Sequence, residues 1–216
     1  KRQITREDFI KMFPSVFSDE VKVMPGDEFK IELTEDAVPF CCNTARAVPF
    51  AYRGRLEKKL KELCDMGVIE LVTEPTDWCA PIVIEDKPKS DDPDDIRLCV
   101  DYTNLNRFVK RELFPAFTPL EMVADIAASE AKYFTKLDAK SGYHQMPLSQ
   151  ESQLISAFIT PVGKYKWLRA PFGVRSISDH YNRRMYQALE GIPRMRRITD
   201  DILVYDKTKV EHARHV

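Results

Sequence analysis

Three carboxylates stand where β-structure is expected to stop. Asp138 follows Tyr133-Phe134-Thr135-Lys136-Leu137, and Asp200 and Asp201 lie between two runs rich in apolar and β-branched residues. An Asp-Asp pair is a common hairpin turn, because Asp tolerates turn geometry. The flank of this pair points further. Ile202-Leu203-Val204-Tyr205 is a near-continuous apolar run, the pattern of a strand buried on both faces. Carboxylates at the end of a buried sheet repel one another and lose water, so they need cations, and hard divalent metals take oxygen ligands. Three carboxylates can hold two Mg²⁺ ions roughly 3.5–4 Å apart, the clamp used for in-line phosphoryl transfer. That chemistry needs positioning and charge neutralisation more than a protein nucleophile. By spacing alone, nucleases and polymerases share the pattern.

The elements that must carry these groups are read from periodicity and caps. Residues 132–137 form a strand ending at Asp138, and 196–199 and 202–205 form a pair around the two acids. Ser176-x-x-Asp179 reads as the cap of a helix with Ile177, Tyr181, Met185, Ala188 and Leu189 on one face, stopped by Gly191. Thr118-Pro119-Leu120-Glu121 is a strong helix start, with a Thr cap, Pro at the first helical position and Glu three after the cap. Upstream, Leu56, Leu60 and Leu63 mark a helix over 51–66 that Gly67 stops. Strands follow at 68–72, 81–84 and 97–100, the last two joined by a long charged loop over 85–95. Residues 155–160 and 165–168 flank a Pro-Val-Gly-Lys turn. The first fifty residues read as an extended arm. Thr5-x-x-Asp8 caps a short helix there, and Phe29 to Leu33 alternates as a strand does. Strands and helices mix without regular βαβ alternation, so the fold class is α+β.

Hydrophobic residues make up 44% of the 216, enough for a sizeable core, which excludes a disordered, collagenous or coiled-coil chain. No apolar stretch is long enough to span a bilayer, so no membrane partner is expected. The N-terminus lacks the apolar segment of a signal peptide, and a start at Lys reads as a piece of something longer. Five cysteines without a C-x-x-C pair read as reduced thiols of an intracellular protein. The net charge of −1 hides a split. Residues 1–101 hold 15 basic and 22 acidic residues, whereas residues 102–216 hold 18 and 12. Such asymmetry suits an anionic partner for the second part, against the plainer reading of an uneven solvated surface.

The words around the carboxylates narrow the choice. Tyr133 to Gln145 (YFTKLDAKSGYHQ) closely resembles the first catalytic motif of reverse transcriptases from gypsy-type LTR retrotransposons. So do Arg97-Leu98-Cys99-Val100-Asp101-Tyr102 with Asn104-Leu105-Asn106, Ala170-Pro171-Phe172-Gly173, and Asp200-Asp201-Ile202-Leu203-Val204-Tyr205. The resemblance covers 50–216, and the arm over 1–49 looks like the protease-to-polymerase linker of a Pol polyprotein. It implies a right-hand polymerase without its thumb, with fingers over 50–110 and 147–170, palm over 111–146 and 171–216, and an antiparallel palm sheet packed on helices. It implies an RNA-directed DNA polymerase that transfers nucleotides from a dNTP to a primer 3′-OH on an RNA or DNA template. Two Mg²⁺ ions, or Mn²⁺, are the implied cofactors. By motif match, Asp138, Asp200 and Asp201 are the catalytic acids, and the Ala139 carbonyl is a further metal ligand. Arg97 meets the triphosphate, Tyr143 is the gate against a ribose 2′-OH, and Phe172 and Gly173 line the nucleotide pocket. Arg194, Arg196 and Arg197 are candidates for a nucleic-acid backbone, against plain surface charge. The rest of the Pol polyprotein (protease, ribonuclease H and integrase) is the implied partner, in an intracellular, cytoplasmic particle.

The chain also departs from the pattern. Most reverse transcriptases carry Tyr where Ile198 stands, two residues before Asp200. The helix after Gly173 lacks the usual Pro, Thr103 replaces a frequent Arg, and the 85–95 loop is long and acidic. A second reading therefore stays open, a decayed retroelement remnant that binds nucleic acid or a protein. A metal-dependent nuclease fits the acids but not Arg97, Tyr143 and Phe172-Gly173. Asp101 reads as a structural partner, Trp78 and Trp167 as packing, and His212-x-x-His215 as a solvated pair with metal spacing. The fragment alone is expected to be weak or inactive.

Overall fold

The computed structural model describes residues 5–216 apart from 19, 88–91, 93, 116 and 117. Two sheets organise these residues. The larger joins β1 (Ile69–Leu71), β2 (Ala80–Asp86), β3 (Ile96–Val100), β5 (Phe158–Thr160) and β6 (Gly163–Trp167) in the order β1-β6-β5-β2-β3. Its pairings are antiparallel except that of β2 with β5. The smaller sheet is wholly antiparallel, with β8 (Asp201–Asp206) between β4 (Tyr133–Asp138) and β7 (Met195–Ile198). The expected α+β class with an antiparallel sheet at the carboxylates is therefore observed.

The helices follow from their caps and apolar stripes. α1 (Arg6–Met12) starts at the Thr5–Asp8 capping box. α2 (Phe50–Asp65) buries Leu56, Leu60 and Leu63, each contributing about 2 kcal/mol by removal of apolar surface from water. α3 (Pro119–Ala128) has the expected box, in which the Thr118 side chain accepts from the Glu121 N–H and the Glu121 carboxylate accepts from that of Thr118. α4 (Gln150–Ile155) stands where no helix is predicted. Its cap is Ser149, whose hydroxyl accepts from the Ser152 N–H. α5 (Ile177–Leu189) buries Ile177, Tyr181 and Met185 of the predicted face but leaves Ala188 exposed, and α6 (Lys209–His215) follows a Thr208–Glu211 box.

Two readings need correction. Ser176 makes no capping bond at the start of α5. Its expected partner Asp179 instead takes Arg111, whose Nε lies 2.6 Å away, and a long-range ion pair displaces the local cap. Residues 29–33 show the predicted alternation, with Phe29 and Ile31 buried, but form no ladder. Isolated bridges join Phe29 to Leu148 and Leu33 to Val109. The arm is extended, as expected, but it is not loose. The Met24 N–H donates to Gln145 O, Phe29 N–H to Pro147 O, Ile31 N–H to the Ser152 hydroxyl and Thr34 N–H to Phe108 O. Met24, Phe29 and Ile31 join the same core cluster as α2, α5 and both tryptophans, so the arm is part of the packed core.

Candidate active site

β4 and β8 run antiparallel in a register that sets Asp138 directly opposite Asp201. β7 and β8 are joined through Thr199 and Asp200, with Ile198 opposite Asp201. Three acids thus meet at one end of the small sheet. The Ala139 N–H donates to Asp200 O at 2.9 Å and ties the two edges of that end together. Thr199 has a φ of +51°, a left-handed conformation that is strained for a β-branched residue.

The three carboxylates have different surroundings. Asp138 is exposed. Asp201 is partly exposed and lies 2.9 Å from Lys136 Nζ, an ion pair open to solvent and worth little by itself. Asp201 first and Asp138 second hold the Lys136 ammonium above its ordinary value. Asp200 is half-buried, and its Oδ1 is fully enclosed without a hydrogen-bond partner of regular geometry. Burial pushes this carboxyl up, the Tyr181 hydroxyl opposes the shift, and the charges of Asp138 and Asp201 add to it. Arg197 helps offset the shift from behind. Its guanidinium donates to Asn182 Oδ1 at 2.8 Å, Asn182 O at 2.9 Å and Thr199 O at 2.9 Å. Among the described residues, no three acidic, His or Cys side chains converge closely enough to hold a metal unaided.

Beside the acids lies an aromatic floor. A 3₁₀ turn over Gly142–Gln145 follows Ser141, which has a φ of +49°. Tyr143 packs between Phe172, with ring centres 4.8 Å apart, and Tyr181 at 5.2 Å. Burial, then the charges of Asp200 and Asp179, push the Tyr143 hydroxyl up. Gly173 takes a φ of +95° where the chain passes Val100 O. Asn106 clamps this turn, donating from Nδ2 to Gly173 O at 2.8 Å and accepting from the Arg175 N–H at 2.9 Å. His144 lies behind, stacked on Trp167 and 3.0 Å from Ala170 O, and burial pushes its pKa down to about 4.

The structure thus gathers Asp138, Ala139, Tyr143, Phe172, Gly173, Asp200 and Asp201 around one end of the small sheet. Arg97 stands apart on β3, exposed and opposite Glu85, with no ion pair among the described residues. Three described acids of the 85–95 loop turn instead to α2: Arg55 meets Asp86 at 3.0 Å, Lys58 meets Asp92 at 2.9 Å and Lys59 meets Asp95 at 3.5 Å. Lys87 also lies 2.7 Å from Asp95, while Lys89 falls outside the described residues. Arg194, Arg196 and Arg197 are all engaged within the chain. Arg194 lies 3.3 Å from Asp206 and from Glu211, Arg196 lies 2.7 Å from Asp125, and Arg197 holds Asn182. Asp101 meets Arg46 at 2.7 Å, in keeping with a structural role. His212 and His215 are not the solvated pair expected. Their Nδ1 atoms donate to the enclosed Asp206 carboxylate at 2.9 and 2.8 Å and dock α6 on β8. Burial pushes Asp206 up, but the two histidines together with Arg194 outweigh it and leave the carboxyl below its usual range.

Asn106, Gly142, Tyr181 and Asn182 also shape the site, and their residue types and spacing assign them no such role. The Asn-Leu-Asn word was a usable signal for the first. The others depend on contacts between segments distant in sequence.

A family model described as reverse transcriptase (RNA-dependent DNA polymerase) matches residues 87–216. The retrovirus-related Pol polyprotein from transposon gypsy of Drosophila melanogaster is 30% identical over 166 residues, 74% of this chain and 16% of that protein. The corresponding polyprotein from transposon opus of Drosophila melanogaster is 31% identical over 176 residues, 78% of this chain and 17% of that protein. The chain therefore spans less than a fifth of the length of these relatives. Among solved structures, the foamy viral protease-reverse transcriptase in complex with dsDNA matches with a TM-score of 0.82 at 18% identity, covering 100% of this chain and 45% of that one. The same enzyme in complex with RNA/DNA hybrid matches at 0.79 and 19% identity, covering 99% and 29%. These structural likenesses establish a shared fold. By the family match and its sequence relatives, the chain belongs to the reverse transcriptase family, in the kinship of gypsy-type Pol polyproteins.

Proposed function

We propose that this chain carries the polymerising centre of an RNA-directed DNA polymerase, extending a primer 3′-OH with dNTPs on an RNA or DNA template. The observation that carries the reading is the register of Asp138 opposite Asp201, with Asp200 at the adjoining turn and the Tyr143–Phe172 floor beside it. The large sheet with α2 serves as fingers and the small sheet with α5 as palm. The donor set fits a hard divalent cation. It is all oxygen, with one exposed carboxylate, one half-buried carboxylate and the neighbouring Ala139 carbonyl. A site without three convergent side chains suits Mg²⁺, which keeps several waters and takes one or two carboxylates plus substrate phosphates.

Two divalent cations, Mg²⁺ or Mn²⁺, supply charge neutralisation and activation of the attacking hydroxyl when bound. Asp138, Asp200 and the Ala139 carbonyl would hold them, with Asp201 beside the primer end. Tyr143, fixed between two rings, presents a wall against a 2′-OH. Phe172 and Gly173 form the rest of the nucleotide seat. Arg97, exposed on β3, offers a fork of N–H donors to the triphosphate. The remainder of a Pol polyprotein is the natural partner, since the relatives are several times longer.

The test is primer extension on an RNA template with Mg²⁺ or Mn²⁺, using a longer protein that contains this chain and its Asp138→Asn variant. Synthesis by the parent and none by the variant supports the reading. Equal synthesis by both removes Asp138 from the site. No synthesis by either, with nucleic-acid binding retained, favours the remnant.

A further inference from the structure

The Tyr181 hydroxyl is enclosed and, among the described residues, has no hydrogen-bond partner of regular geometry. Asp200 Oδ1 is in the same condition, and the two crowd the same face of Gly142. A Cβ on Gly142 would collide with the hydroxyl and lie 2.8 Å from Oδ1, so both oxygens share one small space. Two orphaned buried oxygens side by side, one a donor and one a carboxylate acceptor, complement each other chemically. Oδ1 is the Asp200 oxygen enclosed in this way, while the residue as a whole is only partly buried. The surroundings fix the tyrosine firmly. Its ring sits in the core against Tyr143, and the next residue, Asn182, is held by Arg197 through two hydrogen bonds. Phe would fill the same volume, so the hydroxyl's distinct contribution is a donor beside an acid.

We propose that Tyr181 is a positioning residue for Asp200: its hydroxyl engages Oδ1 and holds the carboxylate so that Oδ2 faces the divalent cation. The inference rests on the reading of Asp138 and Asp200 as metal ligands. It concerns this chain's own side chains, and α5 supplies the positioning group from behind the small sheet.

The test is Mn²⁺ titration of the 216-residue chain, followed by water-proton relaxation, for the parent, Tyr181→Phe and Asp138→Asn. A lost partner behind a metal ligand lowers affinity roughly 10–100-fold, and that is the result expected for Tyr181→Phe, with far-ultraviolet circular dichroism unchanged. Affinity within twofold of the parent, in a folded variant, overturns the proposal. Asp138→Asn separates the two ideas, because undiminished Mn²⁺ binding by that variant sinks the metal site itself. In the longer protein, Tyr181→Phe raises the Mg²⁺ concentration for half-maximal primer extension while saturating Mg²⁺ restores most of the rate. A lower rate with an unmoved Mg²⁺ requirement marks plain packing and counts against the proposal.

Discussion

Gly142 and Gly54 receive the same substitution with opposite consequences. At Gly142, a methyl group enters occupied space: Tyr181 Cζ would lie 2.7 Å and Asp200 Oδ1 2.8 Å from the new Cβ. Neither neighbour can yield freely, since the tyrosine is core and Asp200 is tied at its backbone to Ala139. Overpacking of this kind costs about 1–3 kcal/mol. For a chain of this size each kcal/mol moves the unfolding midpoint by about 2–4 °C, so Gly142→Ala melts some ~2–12 °C low. Gly54 sits exposed within α2 with nothing within 4 Å of its added Cβ. Removing glycine's excess freedom there stabilises by about 0.5–1 kcal/mol, and Gly54→Ala melts slightly high. Circular dichroism melts of both variants decide the matter. Adding Tyr181→Phe to Gly142→Ala recovers only part of the loss, because the ring carbon still obstructs. A Gly142→Ala protein that melts with the parent refutes the close packing behind Asp200.

Three further outcomes are expected. His144 stays neutral down to about pH 4 in the fold but protonates near 6.5 when unfolded. Its contribution is therefore complete above pH 6.5 and lost as pH falls toward 4, by about 3 kcal/mol across that window. Urea unfolding at a series of pH values checks this, and a flat profile over the window argues against a buried neutral imidazole. Asp206→Asn removes the carboxylate that holds His212, His215 and Arg194, at a cost of about 3 kcal/mol. Amide exchange should then show residues 209–215 opening while the β4–β8 ladder stays protected, and protection retained in α6 would contradict the docking role. In the longer protein, Arg97→Ala raises the KM for dNTP about 10–100-fold, the worth of a charged hydrogen bond. An unchanged KM removes Arg97 from the triphosphate seat.

Much of the carboxylate site is legible because its words are local. Leu137-Asp138 ends an edge strand, Asp200-Asp201 immediately precedes the apolar run 202–205, and the Thr118 and Thr5 boxes need only four residues each to declare a helix. What lies beyond local pattern is set by partners far along the chain. Ser176 and Asp179 have the letters of a cap, yet Arg111 takes the acid. Phe29 to Leu33 alternates correctly, yet its backbone groups go to Pro147, Ser152 and Lys110 instead of to a neighbouring strand. The short, polar α4 shows too little apolar stripe to be seen, although its Ser149 cap is visible in hindsight. The long acidic loop looks hostile to a triphosphate until α2 supplies Arg55, Lys58 and Lys59 to meet it. Tyr181 reads as one more apolar position on a helix face, because periodicity does not reveal what a buried hydroxyl will meet.

The central claim, that Asp138 and Asp200 hold a divalent cation at the end of the small sheet, is tested most directly by anomalous diffraction from crystals of this chain soaked in Mn²⁺. A peak is expected beside the Asp138 carboxylate, the Ala139 carbonyl and Asp200, and it should disappear in Asp138→Asn. A peak confined to other acids of the chain, or one that survives in the variant, would contradict it.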